Sequence, residues 1–328
     1  MPFGNQFRCL LAIVIIKCVR VPWRITEVML KKQFPLKDHY VIMMIFRRLA
    51  PRFPVTISYP NPLLEDDTRV ILDLDLCKNG DQIYFRMKNN FDTDSINAVG
   101  IAMKDSDAFL DIGSHLGMYA LPVAQAFPCC QVTAIEPLPG NFAQLERNIE
   151  LNRLSNVISV NSAVTEAGGP VKFYTNPLNE GAGSILNSPI YRTGAVEVDA
   201  AEYRKNHPKF TAVLEVETCR LDDFCHGPTV VKIDVEGAEV TVLNSGRRSL
   251  EEGKIDVMVV EVTSDSIREV ISILEEFKFD CFFPGQATPT KDGSELTLKV
   301  ANLICLRRGS NSYSTVMSRI GSCQSKIG

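Results

Sequence analysis

Ten cysteines and four histidines are present, but no Cys-x-x-Cys pair occurs, and His39, His115, His207 and His226 do not cluster with cysteine. Structural zinc sites are built from such paired ligands, so no metal is expected. The irregular cysteine spacing does not suggest a disulfide framework. Adjacent Cys129 and Cys130, beside a strand start, read as buried free thiols in a reducing compartment. No apolar run reaches the roughly 20 residues of a spanning helix. Leu10 to Ile16 is too short, and Val21-Pro22-Trp23-Arg24 offers no small-residue cleavage site for a leader. An excess of one charge is also missing. A net charge of -4 leaves no electrostatic footprint for nucleic acid, so none is expected as a partner. Two short apolar pieces flanked by basic residues, Leu10 to Ile16 and Tyr40 to Phe46, fit either helices packed on the core or a peripheral contact with a membrane surface. The expected location is cytoplasmic.

The last absence concerns glycine. Gly113 and Gly117 lie in a strand-turn-helix pattern, yet the position two after Gly113 is His115, so the G-x-G-x-x-G fingerprint of a dinucleotide site fails. What stands there is D-x-G-x-x-x-G, Asp111 to Gly117, with Ser114 inside it. Before it runs the apolar Ala108-Phe109-Leu110, and after it comes helix-compatible sequence to Phe127. A β-rich run, Gln131 to Ile135, then stops at Glu136. Glu136 falls about 20 residues past the turn, where a carboxylate accepts both hydroxyl protons of a ribose. A ribose without a pyrophosphate points to S-adenosylmethionine. Separately, a lone Gly-x-x-x-Gly is a common turn and Glu136 a solvated strand end. The ordered set carries the inference.

The runs FLDIGSHLG (Phe109 to Gly117), EPLPGNF (Glu136 to Phe142) and LERNIELN (Leu145 to Asn152), with ETCRLDD (Glu217 to Asp223) and VKIDVEGAE (Val231 to Glu239), resemble the FkbM-type methyltransferase family. The resemblance spans roughly Asp94 to Pro284. It implies a Rossmann-like class I methyltransferase fold, with a mostly parallel seven-stranded sheet and an antiparallel last strand; the connection Pro284 to Lys299, with no helical pattern, by itself suits a hairpin that sets the last strand, Ala301 to Leu306, antiparallel. It also implies S-adenosylmethionine as cofactor and O-methylation of a hydroxyl on a sugar or small metabolite. By position and resemblance, Ala163 borders the adenine. The expected cofactor-binding set is therefore Asp111, Gly113, Ser114, Gly117, Glu136 and Ala163.

A second carboxylate turn follows Thr229 to Val235 (TVVKIDV), an apolar run broken by Lys232 that reads as a central parallel strand. Asp234 and Glu236 sit at its carboxyl end, where open α/β sheets place their chemistry, and are the candidates for general base or acceptor orientation. Acidic residues that merely stabilise a helix start explain Glu236 and Glu239, but Asp234 less well. His115 is a more remote candidate. Two other readings stay open. One is a nicotinamide-dependent oxidoreductase, which the missing glycine argues against. The other is a catalytically inactive binding module of the same fold.

The remaining sequence sets the expected boundaries. Residues 1–60 form an N-terminal helical and linker segment, the linker marked by Pro51, Pro54, Pro60 and Pro62. The methyltransferase domain covers 61–310. Alternation from Val70 to Leu76 and from Ile83 to Met87 predicts a hairpin over 69–88, and the core runs from 94 to 307. Residues 176–188 read as a polar loop, either a substrate lid or a plain surface excursion. Residues 200–210 read as a charged insertion and 311–328 as a disordered tail.

Overall fold

In the computed structural model, the described residues are 54–75, 93–106, 108–166, 168–176, 179–186, 196–197, 212–296 and 300–324. The expected N-terminal helices, the second arm of the 69–88 hairpin, the 200–210 insertion and part of the 176–188 loop lie outside them. Among the described residues, no helix is long and apolar enough to cross a membrane.

The strands are β1 (Pro54–Pro60), β2 (Arg69–Asp75), β3 (Ala108–Ile112), β4 (Gln131–Ile135), β5 (Val157–Val160), β6 (Ala163–Val164), β7 (Val171–Asn176), β8 (Asn179–Ser184), β9 (Val196–Glu197), β10 (Ala212–Val216), β11 (Thr218–Cys219), β12 (Thr229–Ile233), β13 (Ile255–Thr263), β14 (Phe279–Phe282) and β15 (Val300–Arg307). The helices are α1 (Thr93–Ala102), α2 (Ala120–Ala126), α3 (Pro139–Leu151), α4 (Glu239–Ser245), α5 (Arg247–Glu251), α6 (Ile267–Glu276) and α7 (Asn311–Gln324).

Seven strands form the main sheet in the order β14-β15-β13-β12-β3-β4-β5. Neighbours from β13 to β5 run parallel, and β15 lies antiparallel between β13 and β14. This is the Rossmann-like class I methyltransferase order, with its antiparallel last strand. The central strand β12 is buried along its whole length, as a strand covered on both faces must be. Alternation of side chains splits the core in two. Leu110, Ile112, Val231, Ile233, Met258 and Val260 face α4 and α6. Phe109, Val230, Val257, Val259 and Ile304 face α1, α2 and α7.

Between β5 and β12 the chain builds a small separate sheet, β8-β7-β10-β9. Part of the stretch expected to be a polar loop therefore pairs as β8, antiparallel to β7. Further expectations are corrected. The proline-marked linker is in part strand β1, paired with β2 from Pro54↔Asp75 to Pro60↔Arg69, with prolines confined to its ends. The β2 arm of the expected hairpin thus pairs with sequence before it. The tail expected to be disordered forms α7 instead. Val316 is fully buried and the Tyr313 hydroxyl donates to Asp280 Oδ2 at 2.8 Å, so a serine-rich helix is fixed by a few apolar and polar anchors. Cys129 is exposed, contrary to its reading as a buried thiol. Cys130, Cys219, Cys225, Cys281 and Cys305 are, like it, free thiols.

Candidate functional site

The registers place the polar residues before any contact is considered. Lys232 pairs with Asp111 on one side and with Val259 on the other. Asp111 pairs with Ala134. Residues two apart share a face, so Asp111, Glu136, Lys232, Asp234 and Glu261 all project to the side covered by α1, α2 and α7. They lie at or just past the carboxyl ends of four adjacent parallel strands. Asn302 pairs with Glu261 and joins them from β15.

The bend after β3 is a backbone construction. Gly113 has φ of 79°, and a Cβ added there would stand 1.8 Å from the carbonyl oxygen of Asp234. Its missing side chain lets the two functional turns touch. At Gly117, with φ of 91°, a Cβ would meet Leu121 and Leu145 at 2.8 and 3.0 Å. Both glycines are thus required by packing of the bend, a more local reason than ligand clearance. His115 takes φ of 52°, a left-handed conformation uncommon for a residue with a Cβ.

The amides of Gly113 and Ser114 both donate to the Ile135 carbonyl at 2.9 Å. Asp111 Oδ2 accepts from Ser114 Oγ at 2.8 Å and from the Ala120 amide at 3.1 Å. The start of α2, where a dinucleotide fold would seat a pyrophosphate, already holds a protein carboxylate. Asp111 and Ser114 therefore shape the bend. Burial raises the Asp111 carboxyl to about 6, against its bond from Ser114 and the nearby Lys232.

Glu136 is only 5% exposed and points into this bend. Its Oε2 accepts from the His115 amide at 2.9 Å, and its Oε1 from the Leu138 amide at 2.9 Å and Asn141 Nδ2 at 3.4 Å. Burial lifts it to about 7 in spite of these donors. Two of the about four acceptor positions of a carboxylate are filled at 2.9 Å and a third only at 3.4 Å, so Glu136 is held in place with one position open and one weakly held for a diol. Ala163, 5% exposed, packs with Leu138, Phe173, Leu214 and Val216, and adjoins the Glu136 loop through Leu138.

At the second turn, Lys232 is 1% exposed. Its Nζ donates to Ile233 O at 3.1 Å and Asn302 Oδ1 at 3.3 Å, lies 3.5 Å from Asp234 Oδ2, and sits 5.4 Å from the Tyr119 ring centroid. Carboxyl oxygens of Asp234, Glu236 and Glu261 fall within 4.8 Å of one another. Among the described residues, the Lys232 ammonium is a buried cation beside Asp234. Glu236 has φ of 52°, so both functional turns carry a left-handed non-glycine residue. A Cβ at Gly237 would touch Leu186 at 3.5 Å, which brings the end of the β8 segment over this turn.

The sequence reading missed Lys232, Glu261, Asn302 and Tyr119 as members of the site. Lys232 announced itself by interrupting an apolar strand. Glu261 was legible only by setting the ends of two parallel strands side by side.

A family profile described as Methyltransferase FkbM domain matches residues 111–281, just over half of the chain. Among curated relatives, "Methyltransferase 1" of Beauveria bassiana is 28% identical over 48% of this chain and 65% of its own length. The chain therefore spans somewhat less than two thirds of that relative. "2-O-methyltransferase NoeI" of Sinorhizobium fredii is 26% identical over 57% of this chain and 78% of that protein. Among solved structures, "Human methyltransferase 10 domain containing protein" aligns with a TM-score of 0.40 at 11% identity, over 84% of this chain and all of that one.

Proposed function

The chain belongs to the FkbM methyltransferase family, and from that premise we propose that it transfers a methyl group from S-adenosylmethionine to a hydroxyl oxygen of a sugar or small metabolite. The observation that carries the donor assignment is the Glu136 carboxylate, buried at the end of β4 and aimed into the glycine bend. A phosphate-bearing cofactor suits the bend poorly, because its leading amides are bonded to Ile135 and its helix start to Asp111. An acidic residue held by three donors suits a ribose, whose two hydroxyls need acceptors. The name of the Sinorhizobium relative, a 2-O-methyltransferase, favours oxygen as the acceptor atom.

When bound, the donor supplies a methyl carbon whose bond to sulfur breaks with both electrons left on sulfur. The chain's own residues do the rest. Glu136 fixes the sugar end of the donor, and the bend after Gly113 takes its amino-acid end. Alignment of this kind is worth about 7–11 kcal/mol to a displacement. Asp234, about a third exposed and next to the buried Lys232 ammonium, is placed to take the proton of an acceptor hydroxyl. Glu236, on the strained turn beside it, orients the acceptor.

S-adenosylmethionine at about 100 Kd should stabilise the fold by roughly 2.7 kcal/mol, raising the melting temperature by several degrees, whereas NAD should not. A shift with NAD alone would overturn the assignment. Screening hydroxylated metabolites for release of S-adenosylhomocysteine then identifies the acceptor.

A further inference from the structure

An acidic residue at a helix start ordinarily faces solvent, where its charge complements the helix dipole. Glu239, at the start of α4, is buried instead, with 1% exposed. Its Oε1 accepts from the Gly237 amide at 2.7 Å. Among the described residues its Oε2 is buried with no hydrogen-bond partner. A buried oxygen without a partner is unfavourable, so a dipole effect open to any exposed carboxylate does not account for this placement. The bond to Gly237 does.

That bond falls on unusual backbone. Glu236 and Gly237 are left-handed in succession, with φ of 52° and 99°, and the first of them carries a Cβ that disfavours the conformation. The start of the turn is fixed by the sheet, since the Asp234 amide donates to Ile112 O at 2.9 Å. Across the turn, the Ala238 amide reaches Val235 O only at 3.4 Å. The shorter bond, from Gly237 to a side chain rooted in α4, ties the far end. Asp234 to Gly237 are part-exposed, whereas Ala238 and Glu239 are buried. The tie therefore lies beneath the face that an acceptor meets.

We infer that Glu239 is a positioning residue: by accepting the Gly237 amide, its side chain holds the left-handed turn that presents Glu236, and with it Asp234, to the acceptor. This rests on the hydroxyl-methylation reading above. The bond needs an acceptor oxygen at a fixed reach and no charge. Burial pushes the Glu239 carboxyl up, against its bond from the Gly237 amide, and a protonated carboxyl still accepts through its carbonyl oxygen.

A helix-start charge and a tie across the turn make opposite demands on substitution. The charge survives in Glu239→Asp and is lost in Glu239→Gln. The tie survives in Glu239→Gln, which keeps an oxygen at the same reach, and is lost in Glu239→Asp, which is one methylene shorter.

The test has two arms. In the protein without donor or acceptor, hydrogen exchange at the Gly237 amide should be slow in the wild type and in Glu239→Gln. It should be about tenfold faster in Glu239→Ala and Glu239→Asp, as for loss of one good hydrogen bond. Equal exchange in all four proteins would overturn the tie. The activity arm uses the acceptor that release of S-adenosylhomocysteine identifies, at a temperature below the melting transition of every variant. There Glu239→Ala and Glu239→Asp should lower kcat/KM for the acceptor by about a hundredfold, the effect of a misplacement of roughly 1 Å, with the donor Kd unchanged. Glu239→Gln should stay within about tenfold of the wild type. Because Glu239 acts through Glu236, Glu239→Ala should cost far less in a chain that already carries Glu236→Ala. Rescue by aspartate rather than glutamine would return Glu239 to a helix-start charge. Variants that differ only in melting temperature, or losses that add in the double variant, would reduce it to a structural role. A wild-type chain that methylates no hydroxyl would overturn the reaction assignment, while the exchange arm alone still decides whether Glu239 holds the turn.

Discussion

Gly113→Ala should cost the fold about 3–5 kcal/mol and remove donor binding with it. Two effects add. The backbone there is left-handed, with φ of 79°, which an alanine adopts at roughly 1 kcal/mol. The larger one is contact, since the new Cβ would lie 1.8 Å from the Asp234 carbonyl oxygen and 2.8 Å from its carbonyl carbon. Neither partner has room to retreat. Asp234 N donates to the Ile112 carbonyl at 2.9 Å, and β12 is buried throughout. Overpacking against backbone belongs with the most damaging substitutions. Gly169→Ala is the matched control. Its φ is 85°, but nothing lies within 4 Å of the added carbon, so only the conformational cost of about 1 kcal/mol remains. Urea unfolding of the two variants separates strain from contact. Equal losses would show that the turns do not meet at Gly113.

Asp234→Asn should lower kcat by about 10²–10⁴-fold, the range for loss of a general base, and leave the donor KM nearly unchanged. The asparagine keeps size and shape but accepts no proton. It also takes from Lys232 a counter-charge 3.5 Å away, and weakening the balance of a buried ammonium is costly. Asp234 is about a third exposed, so solvent screens the pair and the fold should lose only a modest amount. Steady-state kinetics with a melting curve separates the effects. A raised donor KM with kcat intact would move Asp234 from proton transfer to cofactor binding.

The sequence made the main sheet legible because its strands carry the pattern physics demands. Buried parallel strands read as apolar runs, and Asp111, Glu136 and Asp234 stood out by ending or interrupting them. The antiparallel position of β15 followed from a connection with no helical period. What escaped depended on partners far along the chain. Strand β1 was hidden by prolines that permit an edge strand, and α7 by polar composition that gives no hint of Val316 or Tyr313 docking. Glu261 closes the apolar run DVMVVE in the sequence, but its nearness to Asp234 is a matter of register between separate segments. Gly113 stood out by its place in the turn, and the atom that forbids a side chain there belongs to the Asp234 backbone, more than a hundred residues away.

The account depends most on Glu136, and its titration gives the most direct test. Burial places its carboxyl at about 7 in the unligated protein, above an ordinary glutamate. Ribose hydroxyls donate to the ionised form, so binding must expel the proton that the free protein holds below pH 7. Calorimetric titration of S-adenosylmethionine from pH 5.5 to 8.5 should show affinity rising with pH, by up to about tenfold per unit below 7, and then levelling. Glu136→Gln should bind about a hundredfold more weakly at pH 8, as expected for two charge-assisted hydrogen bonds, and lose that pH dependence. Titration of the ligand itself is common to both proteins and cancels in the comparison. If Glu136→Gln binds as tightly as the wild type, with the same pH profile, the carboxylate does not hold the donor and the central claim is wrong.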